Sequence, residues 1–297
     1  MPEGPEVEHL RRSLDPVVVG AFVRGVRVAR RGVISIAGAS AAGGRRISDL
    51  DAPLLVGSRI VTTLRHGKQM ALVADSGRAL VVQLGMTGSV MIEPGPPPRG
   101  MDGKHRHVVW TLERADSTMP SEFRVAFRDP RRFGGLTAYG SRAELDAAWS
   151  RLGTDGLVVT GAQLRRGLGT SRRPIKAALL DQTVVAGVGN IYADESLFAA
   201  SIHPLTPAGS LSAPQIGRLA REIRRILNHA SDAGGSTLRD YRDAFGQPGS
   251  AVQLHAAYGR EGEPCVRCKT PLQGLRMQAR ATVFCPRCQD LSTCRKR

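Results

Sequence analysis

The sequence predicts an α+β fold in three successive parts: a β-sandwich or barrel, a helical segment and a small cysteine module. Three observations carry this. Between residues 20 and 130 the apolar residues come in short alternating runs broken by Gly or Asp, the period of half-buried strands. From residue 162 the apolar period becomes helical, with Gly-rich turns between candidate helices. All five cysteines fall after residue 264, so everything before them folds without disulfides.

Taken in order, a helix is predicted over residues 6–14, where Val7, Leu10 and Leu14 share a face and Pro16 ends or kinks it. Strands are predicted at 22–28, 59–64, 70–74, 79–84, 89–92, 107–112 and 123–127, with Asp75-Ser76-Gly77 as a hairpin turn. Short, closely spaced strands of this kind build a sandwich or barrel. Residues 37–44 are all small and read as flexible, as do the Pro- and Gly-rich residues 94–103, which cannot pair inside a sheet. A helix over 141–149 starts at Ser141, with Glu144 at capping-box spacing. Further helices are predicted at 162–168, 174–180, 191–200 and 214–230, a loop at 234–240 and a strand at 252–258. The expected organisation is an N-terminal domain over 1–150, a linker over 151–160, a helical domain over 161–259 and a metal module over 260–297. A length of 297 residues fits two main domains.

Lys and Arg number 42 against 26 acidic residues, a formal net charge of +16. That excess points to a polyanion partner. Aromatics at 4% argue against a stacking-rich RNA-recognition sheet. No run of 18 apolar residues occurs, so no membrane span is expected. Glu3, Glu6 and Glu8 near the start are unlike a signal peptide. The cysteine usage fits a reducing cytosol, and a cytoplasmic, nucleic-acid-associated protein is expected.

Cys265-x2-Cys268 and Cys285-x2-Cys288, sixteen residues apart, can close a tetrahedron of thiolates around one Zn²⁺. Four cysteine ligands leave no open position, so the metal is structural; Cys294 is left over. Arg267, Lys269, Arg276 and Arg280 in and between the pairs make phosphate contact the expected use of this module. Residues 181–192 join two helices through Gly187-Val188-Gly189-Asn190. Free N–H groups at such a helix start attract anions, although the segment also reads as a simple connector. Gly85-Met86-Thr87-Gly88 and Asp129-Pro130-Arg131-Arg132-Phe133-Gly134 place a Met, two arginines and a Phe at strand-connecting turns. Met86 and Phe133 are either wedges for a base stack or ordinary core residues. Lys68 is a catalytic or phosphate lysine, or a solvated one. His105 and His107, alternating on a strand, share one face and read as phosphate contacts or surface residues.

Pro2 follows an initiator Met that a small neighbour allows to be removed. Its nitrogen is then a secondary amine. With a generic α-amino pKa near ~8, against ~10.4 for lysine, roughly 20% of such an amine is neutral near pH 7.4. Attack on a sugar C1′ would release a base and leave an iminium. Glu3 and Glu6 are candidate acid/base partners. The same residues are also ordinary helix-start chemistry.

Together these motifs resemble the formamidopyrimidine-DNA glycosylase / endonuclease VIII family of base-excision repair enzymes. The resemblance runs from Pro2 to Gln289 and rests on the Pro2-Glu3 start, residues 83–88, 129–134 and 187–195, and the four cysteines. It implies a two-layer β-sandwich with an N-terminal helix, a helix–two-turns–helix domain and a zinc β-hairpin. It implies double-stranded DNA with oxidised bases or abasic sites as the partner of a monomeric enzyme. Pro2 is then the Schiff-base nucleophile and Glu3 the general acid that assists sugar opening. Lys68 matches the lysine assigned to β-elimination, and Arg280 the arginine assigned to δ-elimination and phosphate grip. Asn190 resembles the phosphate-binding asparagine; His105, Arg131 and Arg172 resemble DNA contacts. Met86, Arg131 and Phe133 resemble the triad that fills the hole left by a flipped base. Residues 234–238 resemble the loop that closes over an oxidised purine. Gly4, where the purine branch usually has Leu, and Gln83, where it commonly has His, depart from that branch. The triad Met86, Arg131 and Phe133 and the loop 234–238 belong to the formamidopyrimidine branch and outweigh these departures, so removal of 8-oxoguanine and formamidopyrimidines is expected. The alternatives are the same chemistry on oxidised pyrimidines, or a non-catalytic DNA-binding paralogue.

Overall fold

The computed structural model describes residues 2–38, 49–94, 105–114, 121–237 and 241–291. The stretches 37–44 and 94–103, the end of the 234–240 loop and Cys294 lie wholly or largely outside the described residues. The chain divides into two compact units. One comprises Met1–Pro2, Glu6–Ser150 and Ser236–Gly249; the other comprises Glu3–Pro5, Arg151–Gly235 and Ser250–Arg297.

The helix α1 (Gly4–Val18), part of the first unit from Glu6 on, buries Val7, Leu10 and Leu14 as their spacing predicts. The helix runs two residues beyond Pro16, which neither ends it nor displaces Val17 and Val18 from the core. A proline in the last turn forgoes only one late hydrogen bond, so packing decides the end. The strands are β1 (Phe22–Val28), β2 (Ile34–Ile36), β3 (Ile60–His66), β4 (Gln69–Ala74), β5 (Ala79–Gln83), β6 (Ser89–Pro94), β7 (Arg106–Glu113), β8 (Glu122–Arg128) and β9 (Gly135–Tyr139). They form a four-stranded sheet, β1-β7-β8-β6, and a five-stranded sheet, β2-β9-β5-β4-β3. Alternate residues of both sheets, among them Met70, Leu80, Val82, Val90, Val108, Trp110, Val125 and Leu136, meet in one core with α1. The outer face of the second sheet packs Ala71, Val73 and Val81 against Leu145 of α2 (Arg142–Trp149). Ser141 caps α2 by accepting from Glu144 N–H, while the Glu144 carboxylate accepts from Gly140 N–H at 3.0 Å. Residues 236–249 return to this unit: Ser236 N–H donates to Glu6 Oε1 at 2.6 Å and Tyr241 Oη to the Glu6 carbonyl at 2.8 Å.

The second unit is helical. The expected linker contains β10 (Thr154–Asp155), which pairs in parallel with β11 (Val185–Ala186). The helices are α3 (Gly161–Leu168), α4 (Ile175–Leu179), α5 (Asn190–Ala199) and α6 (Ala213–Asp232). Capping boxes, Thr160 with Gln163 and Ser212 with Gln215, start α3 and α6. Every residue of α5 from Ile191 to Phe198 is buried, so α5 is the axis of this unit. Residues 252–258, expected as a strand, instead begin with a single turn of 3₁₀ helix, Ala251–Leu254. The reason lies in Glu195, a buried carboxylate that accepts from the backbone N–H groups of Ala256, Ala257 and Tyr258 at 2.8–2.9 Å. Those donors are lost to any sheet. The last two strands, β12 (Gln273–Met277) and β13 (Arg280–Phe284), form an antiparallel hairpin.

Candidate functional site

Pro2 is buried and immediately precedes Glu3, which is 2% exposed. The Glu3 carboxylate lies on the N-terminus of α5, accepting from Ile191 N–H at 3.0 Å and from Tyr192 N–H at 3.4 Å. These are two of the donors that a helix start leaves unpartnered. Gly189, the N-cap of α5, provides no side-chain cap. Glu6, the other candidate acid, accepts from Ser236 N–H within the first unit.

Gly4 N–H donates to the Gly187 carbonyl at 2.8 Å, and a Cβ on Gly4 would lie 3.1 Å from the Gly187 Cα. Gly187 itself has φ +99°, a conformation that favours glycine. Gly4 therefore has a local packing explanation.

Lys68 sits half-buried in the Gly67–Lys68 turn between β3 and β4. Arg65 reaches over that turn to the Gly67 carbonyl at 2.8 Å.

Two other turns of the first unit interlock. Between β5 and β6, a Cβ on Gly85 would fall 2.4 Å from Gly134 N, and one on Gly88 2.2 Å from the Leu84 carbonyl oxygen. A Cβ on Gly134 would fall 2.5 Å from the Gln83 carbonyl oxygen. Backbone against backbone leaves no room for side chains, so those of Met86 and Phe133 turn outward, 40% and 58% exposed. The core reading of these two residues is thereby excluded. Arg131, also exposed, stacks its guanidinium 4.7 Å from the centre of the Phe133 ring. Asp129, fully buried, ties the turns together by accepting from Thr87 Oγ1, Arg131 N–H and Gly134 N–H. His105 and His107 do not share a face. His105 is exposed at φ +75° just before β7, whereas His107 is buried with Nε2 2.8 Å from the Asp129 carbonyl. A register shift between Arg106 and Val108 breaks the alternation that the sequence implied.

In the second unit, Asn190 is the first residue of α5 and its Nδ2 donates to the Ala281 carbonyl at 3.1 Å. Its buried Oδ1 has no hydrogen-bond partner among the described residues. Arg280 is exposed at the hairpin tip, where Gln278 and Ala279 take positive φ angles of 48° and 60°. Arg172 is exposed in the loop before α4. Below the tip lies a pair that sequence reasoning missed. Lys176 Nζ of α4 meets Asp194 Oδ1 of α5 at 2.7 Å, both side chains being 1% exposed or less. Lys176 also donates to the Ala281 carbonyl and to Thr282 Oγ1, while Asp194 Oδ2 accepts from Val283 N–H. Burial pushes Asp194 up, to about 7, against the pull of the Lys176 ammonium, and pushes Lys176 down. The only sequence signal was a Lys and an Asp on the inner faces of helices flanking a Gly-rich turn.

The sulfurs of Cys265, Cys268, Cys285 and Cys288 all lie within 4.8 Å of one another, with separations of 4.0 Å (Cys265–Cys288) and 3.5 Å (Cys268–Cys285). No disulfide joins them. Four converging thiols at these spacings fit one structural Zn²⁺.

The sequence matches three family descriptions: "Formamidopyrimidine-DNA glycosylase N-terminal domain" over residues 1–136, "Formamidopyrimidine-DNA glycosylase H2TH domain" over 153–242 and "Zinc finger found in FPG and IleRS" over 262–291. It is 39% identical to the formamidopyrimidine-DNA glycosylase of Laribacter hongkongensis, covering 97% of this chain and all of that one. It is 40% identical to that of Thermus thermophilus, covering 97% and 98%. Among solved structures, the MutM (Fpg) protein of Thermus thermophilus superposes with a TM-score of 0.79 at 38% identity, covering 97% and 98%. A Lactococcus lactis Fpg mutant in complex with DNA containing Fapy-dG does so with 0.82 at 28% identity, covering 97% and 100%. The family match includes the cysteine module, so the four cysteines form its zinc site.

Proposed function

The chain belongs to the formamidopyrimidine-DNA glycosylase family, and from that premise we propose that it excises oxidised purines from duplex DNA and cleaves the strand with its own N-terminal amine. The neutral Pro2 nitrogen attacks C1′ of the damaged nucleotide. The C1′–N bond to the base breaks, and the base leaves with the bonding pair and takes a proton from water. Pro2 gives up its N–H proton to the Glu3 carboxylate, which passes it as the general acid to the sugar ring oxygen as the ring opens. An iminium between Pro2 and C1′ results. It acidifies the C2′ protons, and loss of one of them expels the 3′ phosphate. Lys68 is assigned to this β-elimination. The following δ-elimination, expelling the 5′ phosphate, is assigned to Arg280.

The observation that carries this reading is the buried Glu3 carboxylate, chain neighbour of Pro2, fixed on two backbone N–H groups of α5. The exposed Met86, Arg131 and Phe133 support the lesion class. Met86 enters the vacated stack, Phe133 wedges the adjacent step, and Arg131 donates to the base left opposite, with cytosine preferred. Gly4, the departure that leaned toward pyrimidines, is explained by its approach to Gly187. Asn190 and Arg280 are assigned to phosphates, and His105, Arg131 and Arg172 to further DNA contacts. A monomer in the cytoplasm, associated with the nucleoid through DNA, fits a net charge of +16. Among the described residues no helix is long and apolar enough to cross a membrane.

Borohydride trapping tests the proposal. Duplex DNA with 8-oxoguanine opposite cytosine should yield a covalent adduct whose peptide map places the DNA on Pro2. Protein that retains Met1, identified by intact mass, should give none. An adduct on Lys68, or wild-type cleavage by the Met1-bearing form, would overturn the nucleophile assignment. Release of thymine glycol or dihydrouracil with no release of 8-oxoguanine would move the substrate to oxidised pyrimidines.

A further inference from the structure

The N-cap of α5 is a glycine whose backbone does not require one. Gly189 has φ −130° and ψ −158°, an extended conformation open to any residue. The usual reason for glycine therefore fails here, whereas it holds at Gly187 with φ +99°. N-caps are normally Ser, Thr, Asp or Asn, whose side chains accept from the first helical N–H groups. At Gly189 that space is taken. A Cβ built there would lie 2.3 Å from Glu3 Cδ, 2.5 Å from Oε1 and 2.6 Å from Oε2. The helix is capped by a carboxylate from the other end of the chain instead.

We propose that Gly189 is a positioning residue for catalysis: its missing side chain is the seat of the Glu3 carboxylate. Any side chain at 189 pushes Glu3 off Ile191 N–H and Tyr192 N–H. Glu3 ends in a flexible side chain, so the carboxylate moves rather than the helix. The proton that opens the sugar is then delivered from the wrong place. This inference rests on the assignment of Glu3 as the acid.

Two substitutions separate capping from positioning. Gly189→Ala displaces Glu3 and leaves α5 uncapped. Gly189→Ser displaces Glu3 but offers its own hydroxyl to the same N–H groups. Both should lower kcat for 8-oxoguanine excision by about 100-fold, the scale of a lost general acid. KM should stay within about threefold, because duplex binding is not altered. Strand cleavage at a preformed abasic site, whose sugar opens unaided, should also stay near the wild-type rate. Gly189→Ser should recover the melting temperature that Gly189→Ala loses, without recovering excision. Excision at the wild-type rate in either variant would overturn the proposal. So would a parallel fall of excision, abasic cleavage and melting temperature, which marks a folding role alone. Glu3→Gln is the control. If it excises at the wild-type rate, the acid assignment fails and the inference with it; if it loses excision while Gly189→Ser keeps it, only the inference fails.

Discussion

Thr87 Oγ1 donates to Asp129 Oδ1 at 2.5 Å, and through this contact one buried carboxylate holds two exposed turns in a single conformation. Asp129 also fixes Arg131 N–H and Gly134 N–H on either side of Phe133. Asp129→Ala should leave those N–H groups unsatisfied, at a cost of about 1–3 kcal/mol. The larger expected effect is on selection, since Arg131 and Phe133 lose their fixed backbone. Excision opposite cytosine should fall toward the rate opposite other bases, while affinity for undamaged duplex changes little. Opposite-base ratios measured on both proteins check this, and an unchanged ratio contradicts it.

The Lys176–Asp194 pair joins α4, α5 and β13 just below Arg280. Lys176→Met strands a buried carboxylate and should cost about 3–5 kcal/mol. Adding Asp194→Leu removes the stranded charge and should restore most of that loss. Equilibrium unfolding of the full chain, followed by zinc release, compares the three proteins. If the double substitution is as unstable as the single one, the pair is needed for its hydrogen bonds to β13 rather than for charge balance.

The strands with strong alternation and the helices with strong 3.6-residue period were legible in the sequence. Seven predicted strands correspond to β1, β3, β4, β5, β6, β7 and β8. β2 and β9 were not legible, because β2 has three residues and its parallel pairing with β9 joins segments about a hundred residues apart. Local pattern does not encode a partner that distant. The strand reading of 252–258 failed for a similar reason, since a carboxylate in α5 claims its donors. The zinc cysteines were legible because two tight turns preset the metal geometry. Met86 and Phe133 could be read either as core or as wedges. Their exposure is decided by glycines that press one backbone against another, which no periodicity shows. Pro2 and Glu3 were legible as candidates for chemistry; the seat of Glu3 on a helix start nearly two hundred residues away was not legible.

Cys285 is fully buried, and its N–H donates to Gln289 Oε1 at 2.8 Å. Cys285→Ala should lose the zinc and loosen β12 and β13, and with them the Arg280 tip. Metal analysis should read about one zinc per wild-type chain and none per variant. DNA affinity should collapse while the β-sandwich retains its circular-dichroism signal. Wild-type protein purified without zinc, yet fully active, contradicts the assignment.

On the proposed reading, Arg280 and Asn190 should make separable contributions to DNA binding. Arg280→Ala should lower the slope of log K against log salt by about one unit, as one phosphate contact is lost. Asn190→Ala removes no charge, so it should weaken binding with the slope unchanged. It also removes the 3.1 Å bond to the Ala281 carbonyl. Both losses should be the same for damaged and undamaged duplex. A loss confined to one lesion contradicts a phosphate role.

Glu8 makes the acid stability of the first unit testable. Its carboxylate accepts from Arg11 at 2.9 and 3.1 Å, Arg12 at 2.8 Å and Arg65 at 3.0 Å, which links α1 to β3. Burial alone would raise its pKa, but the three guanidinium groups outweigh burial and hold it at about 2, below the ordinary 4.5. A depressed carboxylate stabilises the fold above its unfolded-state value and loses that contribution as pH falls through its folded value. The window is therefore from pH 4.5 down to about 2. Glu8→Gln should be less stable than wild type by about 1–2 kcal/mol above that window, allowing for solvent screening. The difference should shrink on acidification and vanish near its lower end. Urea midpoints of both proteins across this range give the answer. Coincident curves would mean that Glu8 stabilises the fold by shape and hydrogen bonding that Gln reproduces, not by charge.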